Sequence, residues 1–280
     1  DLGWSRGLGD VYKRQNILFT KYDSGDMIGV KGEIMKTKKG QLSIKVSSST
    51  ILSKSLRTLP EKWHGLKDKE TRFRQRYLDF IVNPDAKKTL EIRSRVINII
   101  RQFMHGEDFI EVETPTLQPK AGGAIAKPFI THHNALDVDM YLRIAPELYL
   151  KRMIVGGFEK VFELGKVFRN EGIDQTHLQE FTMMESYEAF TNVNGVIEMV
   201  ENMCSAVFKN LDLSHNISFD EKNGDFSFPW SKVSMFDLVS EEVGVKVEFD
   251  SNFNEVLEEL GKKDIEVDKE INTTGLLVYN

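Results

Sequence analysis

Two strand-forming runs flanking a short polar loop restrict this chain more than any other feature. Val161-Phe162-Glu163-Leu164-Gly165-Lys166-Val167-Phe168 is dominated by β-branched and aromatic residues. From Phe181 to Tyr187, a period of two puts Phe181, Met183, Glu185 and Tyr187 on one face. Between them, Phe168-Arg169-Asn170-Glu171 leads into a loop holding Gly172, Asp174 and His177. This pattern predicts an antiparallel hairpin whose inner face carries a cation, carboxylates and aromatic rings. Such a face suits a nucleoside triphosphate beside a charged small molecule.

The rest of the chain predicts an α+β protein. Residues 16 to 60 read as β: Met27 to Met35 alternates loosely, Lys36-Thr37-Lys38-Lys39-Gly40 is a basic turn, and Leu42 to Val46 alternates strictly. Lys36, Lys38, Lys39 and Lys45 could face RNA phosphates or form a solvated edge that resists aggregation. Residues 61 to 84 read as a linker that packs Trp63, Phe73 and Tyr77 between two domains, with Asn83-Pro84 as its stop. Leu90, Ile92, Val96, Ile99, Ile100 and Phe103 then recur at helical spacing. Phe109 to Leu117 alternates as a strand ending near Pro115. Gly122-Gly123 allows close backbone approach to a ligand, or a plain surface turn. In Arg143-Ile144-Ala145-Pro146-Glu147 a proline opens a helix, and Glu147 falls where the helix dipole favours a carboxylate. His132 and His133 are adjacent on a strand and point to opposite faces, which argues against a shared metal ion. Beyond Phe190, Val193 to Leu211 reads as an amphipathic helix, with more helix over 233–247 and 256–260. Phe236, Leu238 and Val239 read as core.

Composition bounds the function. A net charge of −6 argues against a protein that coats nucleic acid without specificity. The single cysteine, Cys204, excludes an intrachain disulfide and suits a reducing compartment. No apolar run reaches the roughly eighteen residues of a membrane span.

The segment FRNEG with its following His177 and EFTMME resembles motif 2 of the class II aminoacyl-tRNA synthetases, most closely the lysyl branch. FIEVETPTL resembles motif 1, the dimer-forming element. GGAIAKPF, RIAPELYLKR and RFRQRYLD resemble further segments of the same branch. The resemblance implies a class II antiparallel sheet flanked by helices over 85–280, with a helical insertion from about residue 191. It also implies that 16–60 is part of an OB-fold anticodon-binding barrel, although a hairpin on a larger sheet fits that stretch too.

For the site, the resemblance makes Arg169 the catalytic arginine on the α-phosphate of ATP. Glu171 goes to the adenine amino group, His177 to the outer phosphates and Phe181 to the adenine ring. Gly123, Glu147, Glu185 and Tyr187 are implied for lysine, with Glu147 on the α-amino group and Glu185 on the ε-ammonium. The expected partners are lysine, tRNA(Lys) and a second copy, in the cytoplasm, with ATP and Mg²⁺ and no metal ligands in this segment. Three departures stand out. Residues 1–15 match nothing in the family and read as foreign sequence. Motif 3 is missing before Asn280, so the segment alone is expected to be inactive. Leu178-Gln179 replaces the usual Asn-Pro.

Overall fold

A computed structural model describes residues 22–57, 59, 66–174, 176–219, 222–263, 265 and 267. The stretch 1–15 and Trp63 lie outside the described residues. The chain divides into two compact units, up to Arg95 and from Val96 onward.

In the first unit, β1 (Met27–Lys36) and β2 (Leu42–Ser53) form one antiparallel hairpin. Its turn closes through Gly40, whose φ of +81° suits a residue without a Cβ. The ladder slips at Ser47, the extra residue between the Lys31–Ser48 and Gly32–Val46 pairs. The Ser47 hydroxyl donates to the Lys31 carbonyl at 3.0 Å. Gly32 sits so close to the Lys45 carbonyl there that a Cβ would collide with it. Asp26 ties the base, accepting from Ser55 N at 2.7 Å, Asp23 N at 2.9 Å and Lys54 Nζ at 2.7 Å. The Lys54 ammonium and these backbone donors lower its pKa to about 2. An OB barrel needs five strands, and these are the two among the described residues of 16–60. Most of their apolar side chains, including Ile34, Leu42 and Leu52, are exposed.

The described part of the expected linker is helical. α1 (Lys69–Arg74) is capped by Asp68, which accepts from Thr71 N at 2.7 Å, and α2 (Arg76–Val82) follows at once. Asp79 is buried between Arg72, Arg76 and Asn83 and organises this turn. Its charge is stabilised first by the Asn83 amide, then by Arg72. Phe73 and Tyr77, expected to pack between domains, are exposed. Asn83 is extended, as a residue before proline prefers, and Pro84 opens α3 (Pro84–Gly106) at a position needing no N–H.

In the second unit, β7 (Lys160–Phe168) and β8 (Glu180–Glu188) pair antiparallel, and β3 (Ile110–Glu111) joins β7 in parallel. A second sheet has the order β4 (Leu117–Gln118), β6 (Val138–Leu142), β5 (Ile130–His133). The strand expected over 109–117 is therefore split: β3 and β4 lie in different sheets, with Pro115 between them. One face of the β7–β8 ladder is apolar at its centre, between the Lys160–Glu188 and Lys166–Glu180 ion pairs. Phe162, Leu164 and Met184 pack there with Met104 and Phe109, and with Met199 and Met203 of α5 (Val193–Leu211). Full burial of side chains like Phe162 and Met104 contributes about 1.5–3 kcal/mol each. This core leaves Glu163, Val167, Phe181, Glu185 and Tyr187 on the opposite face. There α4 (Glu147–Val155) packs on both strands.

A β9–β10 hairpin (Asn216–Phe219, Lys222–Asp225) follows α5. Then α6 (Met235–Val243) and α7 (Phe253–Gly261) close a small core around Val245, Val247, Val256 and Leu260. Phe236 and Val239 pack on it, whereas Leu238, expected in the core, is exposed. Among the described residues no helix is long and apolar enough to cross a membrane.

Candidate active site

A buried ion pair underlies the site. Arg143, just after β6, pairs with Glu163 of β7, and both side chains are about 95% buried, with relative exposures of 4% and 5%. The second Glu163 oxygen accepts from the Thr114 hydroxyl at 2.6 Å and from Thr114 N at 3.2 Å. Arg143 Nε donates to the Lys166 carbonyl at 2.8 Å. The Arg143 backbone completes the joint: its N–H donates to Thr116 and its carbonyl accepts from Phe168 N, each at 2.9 Å. A Cβ at Gly165 would strike the guanidinium, so glycine leaves it room. Every strong polar group here has a partner, as a buried charge pair requires.

At one end of the ladder, Arg169 follows β7 and donates its N–H to the Gln179 carbonyl at 2.8 Å. Its guanidinium lies over the Phe181 ring, 5.3 Å from the centroid. Its buried Nε has no hydrogen-bond partner among the described residues. Arg169, Glu171, Gly172, Thr176, His177, Leu178 and Phe181 line a pocket of about 300 Å³. The four residues assigned to ATP from sequence thus share one cavity. Gln179, one of the departures from the family pattern, donates to the Glu171 carbonyl at 2.9 Å and ties the loop shut.

At the other end stand two acids. Glu147 opens α4 in its first turn and pairs with Lys151 Nζ at 2.6 Å. Glu185 on β8 accepts from the Tyr187 hydroxyl at 3.4 Å. Burial, and then the charge of Glu147, push the Glu185 carboxyl above its ordinary range. Burial, followed by the charge of Glu185, likewise holds the Tyr187 phenol protonated well above its usual range. Arg169 acts on Glu185 in the opposite sense, so the two ends share one electrostatic environment.

The glycine-containing segment runs between these ends. Gly123 has φ +88°, and a Cβ there would come within 2.9 Å of Glu147 Cβ and 3.2 Å of Ala145 Cβ. Farther along, Lys127 accepts from Asn170 N at 2.7 Å and donates its N–H to Glu171 at 3.3 Å. Gly123, Glu147, Glu185 and Tyr187 therefore gather on one side, and the pocket residues on the other. A family model described as tRNA synthetases class II (D, K and N) matches residues 68–274. The chain belongs to this family.

This chain is similar to proteins named lysine–tRNA ligase. That of Prochlorococcus marinus subsp. pastoris is 51% identical over 257 residues, covering 91% of this chain and 50% of that protein. That of Clostridium kluyveri is 49% identical over 264 residues, covering 94% and 51%. That of Dehalococcoides mccartyi is 48% identical over 276 residues, covering 96% and 55%. The chain spans about half the length of these curated relatives.

Sequence reading assigned no role to Arg143, Glu163, Thr114 or Asp174. Arg143 and Glu163 sit inside apolar strand patterns, where a charge signals a buried partner, but nothing local names that partner. Among the described residues no group of three or more His, Cys, Asp or Glu side chains is placed to hold a metal ion.

Proposed function

We propose that this chain carries the ATP and lysine sites of a lysine–tRNA ligase. The lysine carboxylate attacks the α-phosphorus of ATP, forming lysyl-adenylate as pyrophosphate leaves. The lysyl group then passes to the terminal ribose hydroxyl of tRNA(Lys), and AMP departs. No side-chain nucleophile is needed, since positioning and charge stabilisation carry the chemistry.

The observation that carries this reading is the buried, unpartnered Arg169 Nε over the Phe181 ring. An orphaned buried donor is costly unless a ligand satisfies it, and a planar guanidinium suits a phosphate. Glu171 and His177 would meet the adenine amino group and the outer phosphates. Glu147 and Glu185 would meet the two ammonium groups of lysine, with Tyr187 at the same end and Gly123 allowing close backbone approach. Two acids whose charges oppose one another are suited to a dication and unsuited to an aspartate side chain. Mg²⁺ would enter with the triphosphate, its protein ligands lying outside the described residues.

The same reading makes 16–60 part of an OB-fold anticodon-binding domain, 61–84 a linker and 85–280 part of the catalytic domain. It places a homodimer contact along the motif 1 segment 109–117 and the protein in the cytoplasm. Lysine-dependent exchange of pyrophosphate into ATP by the full-length protein is the test. Exchange should require lysine and vanish in Arg169→Gln; exchange driven by aspartate or asparagine instead would refute the reading.

A further inference from the structure

His177 lines the pocket together with Arg169, yet 72% of its side chain is exposed, so packing does not orient it. Its orientation comes from one neighbour. Asp174 Oδ1 accepts from His177 N at 2.8 Å, Thr176 N at 2.6 Å and the Thr176 hydroxyl at 2.9 Å. Asp174 Oδ2 lies 2.7 Å from His177 Nδ1. The Thr176 hydroxyl is 3.1 Å from that same nitrogen.

We propose that Asp174 is a positioning residue. It holds the His177 imidazole with Nδ1–H on the carboxylate and reserves Nε2 for a phosphate oxygen of the nucleotide. The proposal rests on the nucleotide reading of the pocket and extends it to a residue that touches no ligand.

The chemistry follows from what each group can donate. An ionised carboxylate only accepts, so a contact at this distance requires a proton on Nδ1. The Thr176 and His177 donors keep Asp174 ionised far below the usual carboxylate range. When a phosphate oxygen reaches Nε2, the ring takes up a proton from solvent there and keeps it, donating a hydrogen bond to that oxygen. Asp174 at the far nitrogen stabilises the imidazolium, as an aspartate does behind a catalytic histidine. Arg169 and Glu171 are the other charged residues lining the pocket. Arg169 adds attraction for phosphate, and Glu171 is held toward Lys127 N.

The test uses the full-length protein and two variants. Asp174→Asn keeps one oxygen for the Thr176 and His177 N–H groups and replaces only the oxygen facing the imidazole. His177→Gln removes the ring. Imidazole ¹⁵N NMR without ligand should show His177 protonated at Nδ1, shifting toward the Nε2–H form in Asp174→Asn. The ATP dissociation constant should rise on the order of tenfold in Asp174→Asn, the size expected for one hydrogen bond to a charged group. Lysine affinity should stay unchanged, and Asp174→Asn should add nothing in a His177→Gln background. A bare Nδ1 in the parent protein, an unchanged tautomer in Asp174→Asn, or additive losses would overturn the proposal. Should Asp174 set the tautomer in a parent protein that binds no ATP, the nucleotide reading fails and takes the proposed role with it.

Discussion

Glu163 and Glu185 stand directly opposite each other in the β7–β8 ladder, but their charges are handled differently. Glu163 is sealed against Arg143. Glu185 has the Tyr187 hydroxyl at 3.4 Å and no cation within ion-pair distance among the described residues. Like charges opposite one another weaken a sheet. The unsatisfied charge at Glu185 is therefore what an arriving ammonium would relieve.

The raised Glu185 pKa has a definite sign. A carboxyl whose folded pKa exceeds its ordinary 4.5 contributes stability below that pH and loses it as pH rises through the folded value. At neutral pH the ionised group opposes folding of the ligand-free protein. Glu185→Gln should therefore raise its thermal midpoint at pH 7. It should also abolish stabilisation by lysine and raise the lysine KM on the order of a hundredfold, about 2–3 kcal/mol. In the parent protein, lysine affinity should grow as pH rises through the Glu185 titration. Calorimetry and steady-state kinetics across pH 4 to 8 measure all four.

Breaking the buried pair should cost more than any surface change. Arg143→Met leaves Glu163 buried without its cation, a loss of about 3–5 kcal/mol. Glu163→Gln should cost less, because the one amide oxygen still accepts from Arg143, while the NH₂ that replaces the other oxygen loses the bonds from Thr114. Urea unfolding of the variants ranks them; equal losses would contradict the assigned charge pairing.

Gly123→Ala should act on Glu147. The new methyl group meets Glu147 Cβ within 2.9 Å on a backbone at φ +88°. The combined strain should cost about 1–3 kcal/mol. Lysine KM should rise while ATP KM holds, since Gly123 lies at the two-acid end.

Asp26 should give the β1–β2 hairpin its own acid sensitivity. Its pKa falls from 3.8 to about 2, so its stabilisation is present above 3.8 and lost as pH drops through about 2. Amide exchange at Ser55, whose N–H Asp26 accepts, should accelerate across that window. In Asp26→Asn the acceleration should disappear.

Much of this protein is written locally. The period of two over 161–168 and 181–187 determines which side chains share a face, and the helix over 193–211 shows its apolar stripe directly. FRNEG and EFTMME carry enough residue-specific chemistry to mark, without coordinates, that Arg169, Glu171, His177 and Phe181 share one pocket. The alternation over 109–117, by contrast, suggested one strand where two short strands join separate sheets. The choice was made by parallel pairing to β7 and by Arg143 bonding to Thr116, and neither is visible in that segment.

Sequence alone determined the hairpin, the helix start at Pro146, and the residue types of the pocket, because each depends on neighbours a few positions away. Tertiary structure decided that Glu163 meets Arg143 and Thr114, that Gly123 makes room beside Glu147, and that Glu147 raises the Glu185 pKa. Those residues are distant in the chain, and electrostatics and packing act through space.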